Sequence, residues 1–167
     1  WSSDVCSSDL YLYGNCCGAN DGVGSGLHGQ NVTIVGNVFY NHVDTGVGCW
    51  TNAGKVTISG NVFERDDYST AYNGVHIDIA GASYVTVTGN VFNGNTIGVR
   101  MLSNLGYSNN GNLIESNVFL NQVDGVTEPA TCVKIAHYTN GSTSNNEDVI
   151  IRGNTFNVTT WGVNVVS

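Results

Sequence analysis

Cations are the scarcest feature of this chain: five Lys and Arg among 167 residues, against thirteen Asp and Glu, for a net charge of −8. A surface so poor in Lys and Arg excludes nonspecific nucleic-acid binding, which depends on neutralising phosphates. Only one Pro is present. No apolar run approaches the roughly 20 residues of a transmembrane helix, so membrane insertion is not expected. Nor does any segment space its apolar residues as an amphipathic helix does. The Cys residues stand at 6, 16, 17, 49 and 132, spacings that fit no zinc motif. The Gly-Gly-x-Gly-x-Asp nonapeptide of calcium-binding β-rolls is missing too.

What the chain has is a phrase used six times: Leu10-Tyr-Leu-Tyr-Gly-Asn15, Val32-Thr-Ile-Val-Gly-Asn37, Val56-Thr-Ile-Ser-Gly-Asn61, Val85-Thr-Val-Thr-Gly-Asn90, Asn112-Leu-Ile-Glu-Ser-Asn117 and Val149-Ile-Ile-Arg-Gly-Asn154. Successive Asn residues lie 22, 24, 29, 27 and 37 positions apart, the drifting period of a solenoid whose coils differ in loop length. The first ten residues, Trp1 to Leu10, resemble the translated end of a short-read sequencing adapter and are set apart as an artefact. Without Asp4 and Asp9, eleven acids face five cations, a net −6. The remainder, 11–167, is expected to be one β-helix domain cut at both ends.

Aligned on the Asn, the columns have separate tasks. Val32, Val56, Val85, Asn112 and Val149, with Ile34, Ile58, Val87, Ile114 and Ile151 two residues later, alternate inward as a strand requires. Between them lie partly polar outward residues, among which Glu115 and Arg152 occupy adjacent rungs and can pair. The Gly-Asn step turns the chain, because both residues tolerate left-handed backbone angles. Stacked, the amides form a ladder along the axis. Phe39, Phe63, Phe92, Phe119 and Phe156 then return inward, with Cys17 in the same column. A further strand phrase closes each coil: Gly46-Val-Gly-Cys49, Gly74-Val-His-Ile77, Gly98-Val-Arg-Met101, Cys132-Val-Lys-Ile135 and Gly162-Val-Asn-Val165, with a degenerate Gly22-Val-Gly-Ser25. In this alignment Cys49 shares the column of Ile77 and Ile135, and with Cys17 is expected to act as a small buried hydrophobe. Three short strands per coil, with no hairpin signal, leave parallel stacking as the way to pair every edge. The expected fold is all-β, a single-stranded right-handed parallel β-helix of about six turns with an Asn ladder.

The order Val-Thr-Ile, Gly-Asn turn, Val-Phe, loop, Gly-Val-x-Ile resembles the repeats of the pectin-lyase-like superfamily over residues 10 to 167. That superfamily includes polysaccharide lyases, glycoside hydrolases, epimerases, phage tailspikes and adhesins, so the resemblance implies a fold and leaves the activity open. It implies a substrate groove on the sheet of the Gly-Val-x-Ile strands, and a secreted, cell-surface or virion-surface location.

The outward column of that phrase runs Gly48, His76, Arg100, Lys134, Asn164, three basic or His residues on consecutive rungs. The next outward column runs Trp50, Asp78, Leu102, Ala136, Val166. Arg and Lys pair with uronate carboxylates, so the face suits an acidic polysaccharide or surface glycan. His76, Arg100 and Lys134 are the catalytic candidates. Trp50, Asp78, His137 and Tyr138 are the substrate-binding ones, the last two opening a long excursion from His137 to Asp148. If the chain is an enzyme, β-elimination ranks above hydrolysis: Arg100 or Lys134 serves as base, with calcium on Asp66, Asp67 or Asp78 as the sole expected cofactor. Crowding by Arg100 and His76 would lower the Lys134 pKa for that role. The hydrolases of this fold carry Asn-x-Asp, Asp-Asp, Gly-His-Gly and Arg-Ile-Lys motifs. Here Asp66-Asp67 lies in a loop, His28 precedes it, and Lys134 lacks the Arg. The other reading is a non-enzymatic adhesin, tailspike or structural segment, trimeric if a tailspike.

Overall fold

The computed structural model describes residues 11–13, 21–23, 31–42, 45–50, 53–66, 74–103, 107–137, 145–157 and 160–166, the first two segments by backbone alone. Every strand pairing among them is parallel, and none of them is helical. From Thr33 onward each coil contributes one strand to each of three sheets, which makes the chain a parallel β-helix. The first sheet stacks Thr33–Val35, Thr57–Ser59, Thr86–Thr88, Leu113–Glu115 and Ile150–Arg152. The second stacks Tyr11–Tyr13, Val38–Tyr40, Val62–Glu64, Val91–Asn93, Val118–Leu120 and Thr155–Asn157. The third, with longer strands, stacks Asp21–Val23, Thr45–Trp50, Val75–Ala80, Ile97–Ser103, Thr131–His137 and Trp161–Val166. A two-stranded accessory sheet pairs Asn109–Asn110 with Asn146–Glu147.

The core follows from the alternation. Ile34, Ile58, Val87 and Ile114 are buried in register on the first sheet. On the second sheet Phe39, Phe63, Phe92 and Phe119 are buried and stack ring over ring, with centroids 4.5, 5.1 and 4.8 Å apart. Each such ring removed from water contributes about 1.5–3 kcal/mol, and stacking adds to it.

Between the first and second sheets the expected amide ladder is present. Asn61 Oδ1 accepts from the backbone N–H of Asn37 at 2.8 Å and from its side-chain amide at 3.1 Å. Asn90 and Asn117 accept in the same way from Asn61 and Asn90, and Asn154 from Asn117. The amide of Asn90 also donates to the Ile58 carbonyl at 2.9 Å, and those of Asn117 and Asn154 reach Val87 and Ile114 in turn. Asn37, Asn61, Asn90 and Asn117 are buried, a placement that amides tolerate only when bonded. The turn itself is carried by the preceding residue: Gly36, Gly60, Gly89 and Gly153 have φ between 61° and 69°, and Ser116 takes the same conformation at 54°. A second left-handed column, less legible in the sequence, precedes the first strand of each coil at Asn31, Lys55, Tyr84, Gly111 and Asp148.

Two alignments change. The Leu10-to-Asn15 phrase reads as a first-sheet strand, yet Tyr11–Tyr13 pairs with Val38–Tyr40 and sets Leu12 opposite Phe39. Alternation in three residues does not distinguish one sheet from another; Leu10, Asn15 and Cys17 lie outside the described residues. Asp21–Val23 does join the third sheet, Val23 opposite Val47. The other change concerns Val75–Ala80 and is taken up with the site. The Glu115–Arg152 pair forms as expected, at 2.8 Å.

Truncating Asn90 to Ala strands buried donors of Asn61 and the Ile58 carbonyl, so chemical denaturation is expected to show a loss of about 3 kcal/mol or more. Ser116→Gly should have the opposite sign. It relieves a left-handed conformation costing about 1–2 kcal/mol, offset in part by glycine's entropy, for a net gain of about 0.5–1 kcal/mol.

Candidate functional site

The third sheet is built as expected, but one strand sits two residues from its expected register. Thr45 pairs with Val75 and Val47 with Ile77, and on the next rung Val75 pairs with Ile97 and Ile77 with Val99. His76-Ile77-Asp78-Ile79, not Gly74-Val75-His76-Ile77, is therefore the counterpart of Gly98-Val99-Arg100-Met101. Period-two alternation cannot separate registers that differ by two, since Val75, Ile77 and Ile79 stay on one face in both. What the observed register adds is Ile79 in the core beside Cys49 and Met101, and a partner for Asp78.

The outward column accordingly runs Gly48, Asp78, Arg100, Lys134, Asn164, and the next one Trp50, Ala80, Leu102, Ala136, Val166. The three-rung stack of His76, Arg100 and Lys134 does not exist. Arg100 instead grips Asp78 with two prongs, Nε to Oδ1 at 2.9 Å and Nη2 to Oδ2 at 2.8 Å. The Asp78 side chain is 4% exposed and that of Arg100 28%. Lys134 Nζ meets Glu128 Oε2 at 2.5 Å, from the loop leading into its own strand. Crowding by His76 is thus absent from Lys134, and its near neighbour is an acid. Nothing in the sequence marked Glu128, because the twelve-residue segment that holds it has no repeat to align. Trp50 is half-buried at one end of the apolar column, and its indole N–H has no partner among the described residues.

His76 is fully buried, packed into the corner between the third sheet and the phenylalanine stack, with ring centroids 5.8 Å from Phe63 and 5.7 Å from Phe92. Its Nε2 lies 2.8 Å from the Gly94 carbonyl, which can only accept, so this nitrogen carries the proton. Its Nδ1, 3.0 Å from His42 Nε2, then accepts from that ring when both are neutral. His42 is left with Nδ1 unpartnered among the described residues. Asn95 completes the cluster: its Oδ1 accepts from buried Arg65 at 3.2 Å, and its Nδ2 lies 3.3 Å from His42 Nε2. Burial pushes His76 down to about 3 and His42 well below the usual histidine range, with neighbouring Arg65 adding to both and His76 to His42. His76 is therefore a neutral group of the core and not part of the outward column. Three residues after the Phe, His42, Asn95 and Gln122 are buried polar groups; in the Phe63 coil the same offset gives exposed Asp66, and Arg65 is buried instead.

His137, at the end of its strand, shares a hydrogen bond between its Nδ1 and the Ser103 hydroxyl, 2.8 Å away. It lines an open cleft of about 390 Å³ with Asn145, Asn146 and Glu147. Asp66 sits apart from the face, exposed and bonded by the Tyr40 hydroxyl and by the Asn41 amide at 2.7 Å. Among the described residues no three His, Cys, Asp or Glu converge to hold a metal ion. Asp67 and Tyr138 lie outside the described residues. Cys49 and Cys132 are free buried thiols pushed up to about 12 by burial, with Asp78 adding to the effect at Cys49, which keeps them in the protonated form. Cys49 fills its expected core role, with Ile79 rather than Ile77 as neighbour.

No family model, curated protein or solved structure matches the chain.

The buried His pair makes stability depend on pH with a definite sign. Both folded-state pKa values are depressed, so below the unfolded value of about 6.5 the unfolded chain binds more protons and stability falls. The slope approaches about 1.4 kcal/mol per pH unit for each His, and for His76 continues toward pH 3. Urea midpoints measured from pH 7.5 to 4.5 should hold down to about pH 6.5 and then drop in the wild type, and drop less in His76→Leu; a flat wild-type profile contradicts the assignment.

Proposed function

We propose that the chain is an extracellular carbohydrate-engaging β-helix that holds a glycan along the outer face of its third sheet, and that it binds rather than cleaves. The observation that carries this reading is the two-column face. A charged row of Asp78, Arg100 and Lys134 runs beside an apolar row of Trp50, Ala80, Leu102, Ala136 and Val166, both at the rung spacing of roughly 4.8 Å. A polymer of repeated sugars lying along the solenoid axis meets a repeated surface. Partly exposed Arg100 and Glu128 offer donors and acceptors to hydroxyls, with Asp78 buried as the anchor of Arg100, and the apolar row with Trp50 at its end covers the C–H faces of rings.

The resemblance of the coil phrase to pectin-lyase-like repeats supports a glycan as ligand. Turnover by β-elimination is less well supported. A base must be free to take a proton, whereas Arg100 holds Asp78 in two prongs and Lys134 sits on Glu128. The row itself holds one acid and two cations, and Glu128 from the adjoining loop brings the balance to two of each, which favours neutral or mixed glycans over polyuronates.

The test is binding to immobilised neutral and acidic polysaccharides, alongside ultraviolet detection of unsaturated product from polygalacturonate, alginate and chondroitin. Arg100→Ala strands a buried carboxylate at a cost of about 3–5 kcal/mol, so the informative variants are Trp50→Ala and the charge-neutral pair Asp78→Asn with Arg100→Gln. Each is expected to stay folded by circular dichroism and to lose about tenfold in affinity. Unsaturated product that disappears in Lys134→Ala would establish a lyase and overturn the binding reading.

A further inference from the structure

We infer that the outer face of the first sheet around Lys55 and Tyr84 is a second binding site, for a sugar bearing a sulfate or phosphate ester, on a face separate from the charged row of the third sheet. The two residues stand on adjacent rungs of the left-handed column that precedes the first sheet: Gly54 bridges Ser83, and the Lys55 backbone N–H donates to the Ser83 carbonyl at 3.2 Å. Asn31, Gly111 and Asp148 fill the same column with residue types that accept a positive φ. Lys55 and Tyr84 are not such types, yet they hold φ of 55° and 57°. Strained backbone of this kind clusters at ligand sites. The core needs neither side chain, Lys55 being exposed and Tyr84 61% exposed. Both rungs lie inside the solenoid, between the Thr33–Val35 and Leu113–Glu115 strands, so their exposure owes nothing to a chain end.

The Tyr84 ring is set by Gly111 on the next rung. Its Cε1 and Cδ1 lie 2.8 and 2.9 Å from the position a Cβ would take there, space that only glycine leaves. One edge of the ring is thereby seated before any ligand arrives, and the rest is open to the C–H face of a pyranose. Farther along the two strands Thr57 pairs with Thr86 and Ser59 with Thr88. Alternation sends all four outward, half-buried, on the same face as Lys55 and Tyr84. Their hydroxyls and the Lys55 ammonium have no hydrogen-bonding or ionic partner among the described residues. By contrast Arg100, Lys134 and Arg152 are held by Asp78, Glu128 and Glu115, and Arg65 is buried against Asn95.

The donors select the anionic group. An ammonium is a compact point charge and lacks the planar fork with which Arg fits a carboxylate in two prongs. The hydroxyls stand on two rungs, roughly 4.8 Å apart across the sheet and roughly 6.6 Å apart along each strand. Donors that arrive from several directions suit the oxygens of a tetrahedral ester better than a flat carboxylate. No acid stands on either rung from Lys55 to Ser59 or from Tyr84 to Thr88. Glu115, on the rung after Thr88, is taken by Arg152, and Asp148 lies two rungs from Tyr84.

Saturation-transfer NMR on the full chain with glucose-6-phosphate, N-acetylglucosamine-6-sulfate, glucuronate and glucose tests this. At least one ester is expected to bind, which one telling phosphate from sulfate, and glucuronate and glucose to bind at least about tenfold more weakly. Lys55→Asn and Tyr84→Asn should each weaken the ester about tenfold, and Trp50→Ala should leave it unchanged. Because Asn accepts the left-handed conformation, the urea midpoint of Lys55→Asn should match or exceed that of the wild type. The site is overturned if neither ester binds, if glucuronate or glucose binds as well as the ester, or if either Asn variant keeps full ester binding while circular dichroism shows it folded. A lower midpoint for Lys55→Asn also overturns it, because the strained lysine would then serve the fold. Ester binding lost in Trp50→Ala and kept in the Asn variants moves the anion to the third sheet and leaves that reading standing. Ester binding lost only in the Asn variants, with no polysaccharide binding at all, sinks the third-sheet reading and keeps this site.

Discussion

A column of buried side-chain amides holds the rest of this molecule in place. Asn61, Asn90 and Asn117 each accept from the amide of one coil, donate to that of the next, and bond the backbone of the first sheet. An amide at that depth has no water to fall back on, so a missing rung exposes several unsatisfied groups together. This makes the ladder a register device as much as a source of stability. Because it pins the turn between the first two sheets, neighbouring coils superpose there whatever their length, and the variation in length is pushed into the loops that flank the third sheet. Phenylalanine stacking follows from the same constraint, since each ring lies two residues beyond its Asn.

Where the ladder acts, the sequence was transparent. From Val32 onward the Asn phrase, the Phe column and the Glu115–Arg152 pair fall within eight residues of one landmark and are found as read, whereas the Leu10-to-Asn15 phrase is not. The third sheet lies farther along each coil, beyond loops of unequal length, and there the landmark loses its hold. Ten residues separate Phe63 from Gly74, and a slip of two within them leaves Val75, Ile77 and Ile79 on the same face. The deciding interactions, Asp78 with Arg100 and His76 with His42, join residues 22 and 34 positions apart. No single-strand pattern carries them. Glu128 escaped for a related reason, standing in a segment with no counterpart in other coils.

Those two residues of slip alter the chemistry. With His76 outward, three cationic groups in a row would have invited a polyanion and supplied a base. With Asp78 in its place and Glu128 against Lys134, each of the two cations has an acid beside it. His76 becomes part of the interior, where its neutrality is enforced by burial among Phe63, Phe92 and Arg65. Among the described residues, Asn61, Asn90 and Asn117 lock coils together, while Asp78, Arg100 and Lys134 line the third sheet.

The register of the Val75–Ala80 strand is the point on which the account turns, and a pair of double-mutant cycles measures it directly. Combining Asp78→Ala with Arg100→Ala should show a coupling of about 1 kcal/mol or more in urea denaturation, while His76→Ala with Arg100→Ala should be additive within about 0.3–0.5 kcal/mol. Strong coupling of Arg100 to His76, with none to Asp78, would contradict the structure and restore the three-cation column.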